Sequence, residues 1–324
     1  MQGLVTVFGG SGFVGSQVVR ALARSDAPVG ASRIRVAVRN VGRGYRLRML
    51  GDVGQIEVVQ ANLRDPDSVA RALDGAQAVV NLPGVLYETG RQSFESVHVD
   101  GARTVAEAAR VEGVKTFVQM SALGADLNSP SQYARTKAQG EIAVREIHPD
   151  AVVIRPSIVF GQDDNFFNRF AAMAALSPAL PLIGGGHSRF QPVYVADVAA
   201  AIARAVVDPA AAGRTYELGG PATYTFRELM ELVLRETLRR RALVPVPWGV
   251  SRFLGQVAQL AAPMMPPPIT ADQVELLKTD NVVSPGAPGL AELGVQPTAL
   301  EPILPTYLYR FRKGGQFAEV AAKV

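Results

Sequence analysis

The sequence contains no cysteine in 324 residues and only three histidines, and these absences exclude several kinds of chemistry. Without cysteine there can be no disulfide, thiolate metal site, iron–sulfur cluster or cysteine nucleophile. The histidines at 98, 148 and 187 are scattered, and no His-x-x-x-His pair occurs. We therefore expect no metal and no metalloenzyme activity.

Charge and long apolar runs are also scarce. Charged residues make up 19% of the chain and the net charge is +4, with no dense basic stripe, so nucleic-acid binding is not expected. The longest uncharged run, 253–271, contains four prolines. Proline breaks a helix, so this run cannot form one membrane-spanning helix, which needs about 20 residues. The first strand-like run lies close to the first residue, and we expect no targeting segment and a soluble or peripheral protein.

The first half of the chain alternates strand-like and helix-like patterns. The strand-like runs are 5–8, 34–38, 56–59, 78–82, 116–120 and 152–154, and the helical runs between them are 14–24, 66–73, 94–112 and 131–146. Such alternation predicts an α/β fold, a Rossmann-type doubly wound parallel sheet. After residue 155, turns rich in proline and glycine become frequent. We predict a dinucleotide-binding domain at 1–155 and a smaller, interwoven α/β lobe at 156–324, with helices at 195–207 and 226–240 and a strand at 215–218.

A glycine-rich loop follows the first strand and opens the first helix. It consists of Gly9, Gly10, Ser11, Gly12, Phe13, Val14 and Gly15. Glycines at these spacings permit a tight turn and a close approach of the backbone to a pyrophosphate, and the helix N-terminus supplies free amides. The loop predicts dinucleotide binding, against the alternative of a purely structural turn.

The end of the second strand bears on which dinucleotide binds. NAD-binding proteins usually have an acidic residue there, which holds the ribose hydroxyls. This sequence has Arg39 and Asn40 instead, with Arg43 close behind. Because arginine pairs well with a phosphate, we favour NADP(H) over NAD(H). The alternative is that Arg39 is a solvated residue at a strand end.

Tyr133 and Lys137 stand four residues apart in a predicted helix, on one face and one turn apart. An ammonium beside a phenol lowers the phenol pKa, and the phenol can then act as a general acid or base toward a carbonyl or alcohol. The lysine can also hold the nicotinamide ribose. Ser121 ends the fifth strand and could donate a hydrogen bond to the same oxygen. These three are the candidate catalytic residues.

The order of the glycine loop, Ser121 and the Tyr133–Lys137 pair resembles the extended and atypical short-chain dehydrogenase/reductase superfamily. The segments 155–161 (RPSIVFG) and 192–198 (PVYVADV) resemble its substrate-side elements. The resemblance implies that Asn62 and Leu63 contact the adenine and that Leu82, Pro83 and Gly84 line the cofactor groove. It also implies that Pro156, Ser157 and Ile158 approach the nicotinamide.

A narrower resemblance covers nearly the whole chain. The stretches 80–88 (VNLPGVLYE), 121–141, 163–170 (DDNFFNRF), 268–275 (PITADQVE) and the tail 307–313 resemble the NADPH-binding accessory-subunit family of respiratory complex I, the alpha-subcomplex subunit nine family and its bacterial relatives. The resemblance implies a tightly held NADPH that stabilises the fold, with complex I subunits as partners. It places the protein on the inner face of the bacterial inner membrane, or on the matrix side in mitochondria.

Two positions depart from the pattern of active extended members. His98 stands where an asparagine is common, and Ala122 stands where a second serine is often found. Both changes weaken the proton relay and the contacts to a substrate oxygen. Together with the whole-chain resemblance, these departures imply an accessory or assembly subunit of complex I without independent turnover. The alternative is an active NADPH-dependent reductase or epimerase on a lipid-like or quinone-like molecule.

Two segments outside the nucleotide half have more than one interpretation. The nearly uncharged stretch 242–271 can be core of the smaller lobe, a surface for a partner or membrane, or the cap of a substrate pocket. The tail 307–313 mixes aromatic and basic residues. It can dock on a partner or membrane, or pack on its own lobe.

Overall fold

The computed structural model describes residues 3–24, 32–260 and 269–317. The chain divides into two compact units, and each is built from separate stretches of sequence. The first unit contains 1–156, 195–218 and 284–296, and the second contains 157–194, 219–283 and 297–324. The division at 155/156 that the sequence predicts stays a prediction, and in these units the chain crosses from one to the other five times.

The first unit is built on a seven-stranded sheet in which all neighbouring strands are parallel. Its strands are β1 (Leu4–Phe8), β2 (Arg33–Val38), β3 (Ile56–Gln60), β4 (Ala76–Asn81), β5 (Thr116–Met120), β6 (Val152–Pro156) and β11 (Thr215–Leu218). Their spatial order is β11-β6-β5-β4-β1-β2-β3. The order reverses direction between β1 and β4, and ligands of such sheets bind at the carboxyl ends of the strands near that point. The α/β Rossmann-type fold that the sequence predicts is therefore confirmed.

Helices connect these strands. They are α1 (Phe13–Ala23), α2 (Val41–Gly44), α3 (Pro66–Leu73), α4 (Asp100–Val111), α5 (Gln132–Ile147) and α7 (Val195–Val207). Apolar side chains of β1, β4 and β5, such as Phe8, Val79 and Phe117, form a core with those of α3, α4 and α5. A π-helical turn, Glu95–Val99, directly precedes α4. Such turns are rare and often lie at functional sites.

The described residues of the second unit contain six short strands in three two-stranded pairs. They are β7 (Val159–Phe160), β8 (Ala179–Ile183), β9 (Arg189–Phe190), β10 (Val193–Tyr194), β12 (Tyr224–Thr225) and β13 (Ala242–Val246). The helices are α6 (Phe167–Leu176), α8 (Phe226–Glu236), α9 (Trp248–Leu260), α10 (Ala271–Leu276) and α11 (Pro305–Leu308). Phenylalanines of β7, α6 and α8 form its core together with Leu304, Tyr307 and Leu308 near the tail.

The aromatic and basic tail packs on its own unit. The Tyr307 hydroxyl donates to the buried carboxylate of Asp164 at 2.6 Å. Arg310 donates to the side-chain oxygen of Asn168 at 2.6 Å, and Arg312 donates to the Glu236 carbonyl at 2.8 Å. Of the two interpretations of 307–313, the structure supports packing within the lobe for these three side chains.

The nearly uncharged stretch 242–271 forms β13, which pairs with β8, followed by α9 and the start of α10. Residues 261–268 of this stretch lie outside the described residues. Four apolar side chains of α9, Val250, Phe253, Leu254 and Val257, are 49–63% exposed. This face is therefore not core. Within 3–24, 32–260 and 269–317, no helix has the length and apolar character needed to cross a membrane.

Candidate functional site

The glycine loop joins β1 to α1 at the carboxyl edge of the sheet. Gly9 adopts a positive φ of 75°, which glycine tolerates, and its amide donates to the Ala37 carbonyl at 3.1 Å. A Cβ on Gly15 would lie 2.3 Å from the Gly9 carbonyl oxygen, and one on Gly10 would lie 2.7 Å from Val36. Gly10 and Gly15 are therefore required for the close packing of helix on strand.

Gly12 has a different environment. A Cβ there would meet only the Gly9 carbonyl oxygen within 4 Å, so its outer side is open. Gly12 is also the N-cap of α1 and provides no side-chain cap, and the first turn of α1 carries no acidic residue. The amides at this N-terminus are oriented to receive an anion. An open glycine beside an uncapped helix end fits the pyrophosphate of a dinucleotide, with Ser11, Phe13 and Val14 completing the loop.

The residues after β2 are exposed and basic. Arg39 donates from Nη1 to Oε1 of Gln92 at 2.6 Å, and Asn40 caps α2 by accepting from the Gly42 amide at 3.0 Å. In the described part of the chain, the Arg43 side chain makes no hydrogen bond or ion pair. No carboxylate pairs with Arg39 there either. This corner can accept a negatively charged group.

The groove residues after β3 and β4 line the same edge. The Leu82 amide donates to the Phe8 carbonyl at 3.3 Å, and Pro83 lies against Gly9. The Asn62 side chain accepts from the Arg64 amide at 3.2 Å, which holds its own turn. Leu63 is half-buried and packs on the core of the first unit. The structure thus places Leu82 and Pro83 beside the glycine loop, and Asn62 and Leu63 after β3. The cofactor contacts of all four stay predictions.

Tyr133 and Lys137 are brought together one turn apart in α5. The Lys137 ammonium lies 5.9 Å from the centre of the Tyr133 ring. Its Nζ donates to the Met120 carbonyl at 3.3 Å and would lie 3.1 Å from a Cβ on Gly84. Burial lowers the pKa of Lys137 to about 8, against an opposing contribution from Glu141. The ammonium is therefore charged at neutral pH but close to titration.

His98 lies beside this pair, in the π-helical turn, with its ring edge-on to Tyr133 at 5.3 Å. The Val85 amide donates to Nε2 at 3.1 Å, so this nitrogen carries no proton. Nδ1–H therefore donates to the Thr136 hydroxyl oxygen at 3.0 Å. Burial, with the Lys137 charge second, lowers the pKa of His98 to about 2. His98 is a neutral residue with both nitrogens bonded to protein.

Ser121 is buried, and its hydroxyl donates to the Glu141 carboxylate in a short hydrogen bond. Arg155 binds the same carboxylate through two nitrogens, at 2.9 and 2.7 Å, and its third nitrogen is 3.8 Å from Glu217. A catalytic role for Ser121 would require the bond to Glu141 to break. That role stays a prediction, and this geometry weighs against it.

The last three predicted cofactor residues fall in two units. Pro156 ends β6 in the first unit, and its carbonyl accepts from the Leu123 amide at 3.0 Å. Ser157 and Ile158 belong to the second unit. The Ser157 hydroxyl donates to the Asn281 side-chain oxygen at 2.6 Å, and Ile158 packs on the core of that unit. Their approach to the nicotinamide stays a prediction.

Sequence reasoning missed Glu141, Gln92 and Thr136. Glu141 follows Lys137 by four residues and Tyr133 by eight, which places all three on one helix face. A carboxylate on that face is a signal that could have been found. No sequence signal marks Gln92, because its partner Arg39 lies 53 residues away.

The sequence profile of the NAD dependent epimerase/dehydratase family matches residues 5–219. The chain is 38% identical over 299 residues to "NADH dehydrogenase [ubiquinone] 1 alpha subcomplex subunit 9, mitochondrial" of Mus musculus, covering 92% of this chain and 78% of that protein. It is also 36% identical over 199 residues to the "Ceramide reductase" of Caulobacter vibrioides, covering 61% and 59%. Among solved structures, the dTDP-glucose 4,6-dehydratase DesIV of Streptomyces venezuelae superposes with a TM-score of 0.73 at 22% identity, over 96% of this chain and 98% of that one. At that identity, the superposition supports the fold alone.

Proposed function

The chain belongs to the NAD dependent epimerase/dehydratase family and to the family of the mouse alpha subcomplex subunit 9, and from that premise we propose an accessory subunit of respiratory complex I. A nicotinamide dinucleotide is the cofactor implied by this fold. We propose that this chain holds NADP(H) and that the nucleotide mainly stabilises the folded state. The observation that carries the proposal is the likeness to the mouse subunit over 92% of the chain.

The nucleotide site supports NADP(H). Gly12 and the uncapped N-terminus of α1 are suited to the pyrophosphate, and Arg39 stands at the end of β2 where a carboxylate would favour NAD(H). A ligand that binds only the folded state stabilises it by mass action, so a bound nucleotide can serve folding without reacting.

The environment of Tyr133 and Lys137 supports a nucleotide that is held without turnover. His98 has both ring nitrogens bonded to protein, and the Ser121 hydroxyl is bonded to Glu141. Neither residue in this arrangement offers a proton or a hydrogen bond to a substrate oxygen. Lys137 remains able to hold the nicotinamide ribose.

The apolar face of α9 supports docking to a partner. Val250, Phe253, Leu254 and Val257 follow the spacing i, i+3, i+4, i+7 and so form one exposed stripe. Contiguous exposed apolar surface is typical of protein–protein or membrane interaction sites. We propose that this stripe faces complex I at the inner face of the membrane, which is cytoplasmic in a bacterium and matrix-facing in a mitochondrion.

The proposal is tested in the source organism with a tagged chain and a deletion strain. The tagged chain is expected to migrate with assembled complex I on a native gel, and the deletion is expected to lower the amount of assembled complex. Phe253→Asp should release the chain from the complex without altering nucleotide retention. Val111→Asp, an exposed apolar control on α4, should leave both assembly and nucleotide retention unchanged. Full assembly of complex I in the deletion strain would contradict the proposal.

A second candidate is an NADPH-dependent reductase on a lipid-like or quinone-like molecule. The specific observations in its favour are the intact Tyr133–Lys137 pair and the likeness to the Caulobacter ceramide reductase. In that case, Tyr133 would be the general acid and Lys137 would activate it. Tyr133→Phe would then abolish turnover, whereas in an accessory subunit it would leave assembly with complex I unchanged.

A further inference from the structure

The segment after β4 ends in a hydrogen-bonded turn. Thr89 and Gln92 exchange both backbone hydrogen bonds, at 3.1 and 2.9 Å, and Gly90 between them adopts a positive φ of 54°. The Glu88 carboxylate accepts from the Phe94 amide at 2.8 Å, which ties the two sides of the turn together. The backbone of Gln92 is therefore fixed independently of its side chain.

This turn is bonded to the basic corner of the nucleotide site. Oε1 of Gln92 accepts from Nη1 of Arg39 at 2.6 Å, and the Arg91 carbonyl accepts from Nη1 of Arg64 at 3.1 Å. A guanidinium has five donor hydrogens, so the single bond to Gln92 orients Arg39 and leaves most of its donors available. Because the partner is a neutral amide, the positive charge is not compensated.

Arg35, on β2, is an example of an arginine with a structural role in this unit. Arg35 pairs with the Glu57 carboxylate at 3.2 Å and donates to the carbonyls of Ala72 and Asp74 at 3.2 and 2.7 Å. Its charge is compensated and its donors are used. Among the described residues, Arg39 has no ion pair. The contrast argues that Arg39 is held in place for a ligand rather than for the fold.

We propose that Gln92 is a specificity-determining positioning residue, which holds the Arg39 guanidinium ready for a phosphate on the adenosine ribose and so sets the preference for phosphorylated dinucleotides. The inference rests on the proposed function, because it requires a dinucleotide in the glycine-loop site. Preorganisation of this kind raises affinity because an immobilised side chain costs no further ordering on binding.

The test is calorimetric titration of the nucleotide-free protein with NADPH and with NADH. In Gln92→Glu, the new carboxylate should pair with Arg39 and repel a ribose phosphate, so NADPH affinity should fall roughly tenfold or more, the scale of a lost charge-assisted hydrogen bond. In Gln92→Ala, Arg39 is unrestrained, and NADPH affinity should fall about threefold. NADH affinity should change less than about twofold in both variants, because it carries no phosphate at that position.

A matched control is Gln77→Glu. Gln77 is exposed near the start of β4, at the amino ends of the strands and so away from the nucleotide site at their carboxyl ends. The substitution makes the same change of charge and shape as Gln92→Glu. It should leave both affinities unchanged. A merely structural role of Gln92 would lower the affinities for NADPH and NADH together.

The outcomes separate the inference from the proposed function. A wild-type protein that binds NADPH and NADH equally would overturn both the NADP(H) assignment and this inference. A wild-type protein that prefers NADPH, with the same preference in Gln92→Glu, would overturn the inference alone. Loss of the preference in Gln92→Glu but not in Gln77→Glu is the result expected.

Discussion

Two regions of the first unit, the glycine loop with Arg39 and the surroundings of the Tyr133–Lys137 pair, differ in how their polar groups are bonded. At the glycine loop, Gly12 leaves the N-terminus of α1 without a side-chain cap, and Arg39 lacks a carboxylate partner among the described residues. At the other end, His98, Lys137 and Ser121 all bond to protein atoms. In the first region, groups that can bind an anion are available, whereas in the second, His98 and Ser121 are bonded to protein and only Lys137 keeps donors for a ligand.

The difference separates binding from chemistry. Free amides and an uncompensated guanidinium favour an anion at one end, and this requires no reaction. A catalytic end normally keeps a donor and a proton relay available to the substrate. In this chain, His98, Lys137 and Ser121 instead bond the sheet, the π-helical turn and α5 to one another. The arrangement fits the proposed accessory subunit, and the following predictions test it in order of expected effect.

The largest effect on stability is expected near the Tyr133–Lys137 pair, in Glu141→Leu. This substitution leaves the half-buried Arg155 without its bidentate partner, with only the 3.8 Å contact to Glu217, and removes the acceptor of Ser121. Breaking a partly buried ion pair on one side should lower the free energy of unfolding by about 3–5 kcal/mol. Denaturant titration measures this loss.

The double variant Glu141→Leu with Arg155→Met is the matched control. It replaces the ion pair by apolar side chains, and most of the stability should return. If Glu141→Leu alone were as stable as the wild type, the bonds of Glu141 to Arg155 and Ser121 would not be stabilising the fold.

At the glycine loop, Gly15→Ala and Gly12→Ala should differ. A Cβ on Gly15 would press against the Gly9 carbonyl oxygen at 2.3 Å, whereas one on Gly12 would contact that atom at 3.2 Å and otherwise point into open space. We expect Gly15→Ala to lose about 1–3 kcal/mol of stability through overpacking. Gly12→Ala should remain near wild-type stability but bind nucleotide weakly. Equal stability losses in a thermal melt would contradict the assignment of Gly12 to the ligand.

Lys137 carries a pH dependence whose sign follows from its lowered pKa of about 8 against the usual 10.5. Below pH 8, the lysine is charged in both the folded and the unfolded chain, and the full cost of burying the charge applies. Between these two values, the folded protein releases its proton first and the cost is relieved. Lys137→Met should therefore be more stable than the wild type by about 2 kcal/mol at neutral pH, an advantage that shrinks as the pH rises.

The control for this prediction is Lys115→Met, since Lys115 is exposed at the start of β5. Chemical denaturation at several pH values should show no such pH-dependent stability difference between Lys115→Met and the wild type. A stability difference for Lys137→Met that is constant with pH would mean that the ammonium is not desolvated.

The smallest expected effect on stability is that of Arg39→Ala, since Arg39 is exposed and makes one hydrogen bond. Its effect on binding is selective. NADPH affinity should fall roughly tenfold or more, and NADH affinity should change little. Equal losses for both nucleotides in a titration would contradict the assignment of Arg39 to a ribose phosphate.

The local pattern of the first unit could be predicted from the sequence. The helices at 66–73 and 195–207 and the strands at 116–120 and 215–218 have the bounds expected from periodicity. Each is set by its own local spacing of apolar residues, three to four residues apart in a helix and alternate in a strand. The strand order and the three small strand pairs of the second unit could not be predicted, because they depend on contacts between distant residues.

The candidate site divides in the same way. Tyr133 and Lys137 are neighbours because helix spacing makes them so, and a sequence shows that spacing directly. The partner of Ser121 could not be predicted, because Glu141 is 20 residues away and is held there by Arg155 from β6. For the same reason, the two bonds of His98 to Val85 and Thr136 were visible only in the folded chain.

The central claim is that the nucleotide is held and does not react. Native mass spectrometry of the purified protein identifies what it carries, and incubation of that form with a broad panel of carbonyl and quinone compounds, followed at the NADPH absorbance band, tests for turnover. We expect NADPH that survives purification and is not oxidised by any compound. Oxidation by one member of the panel, lost in Tyr133→Phe, would contradict the account and establish an enzyme.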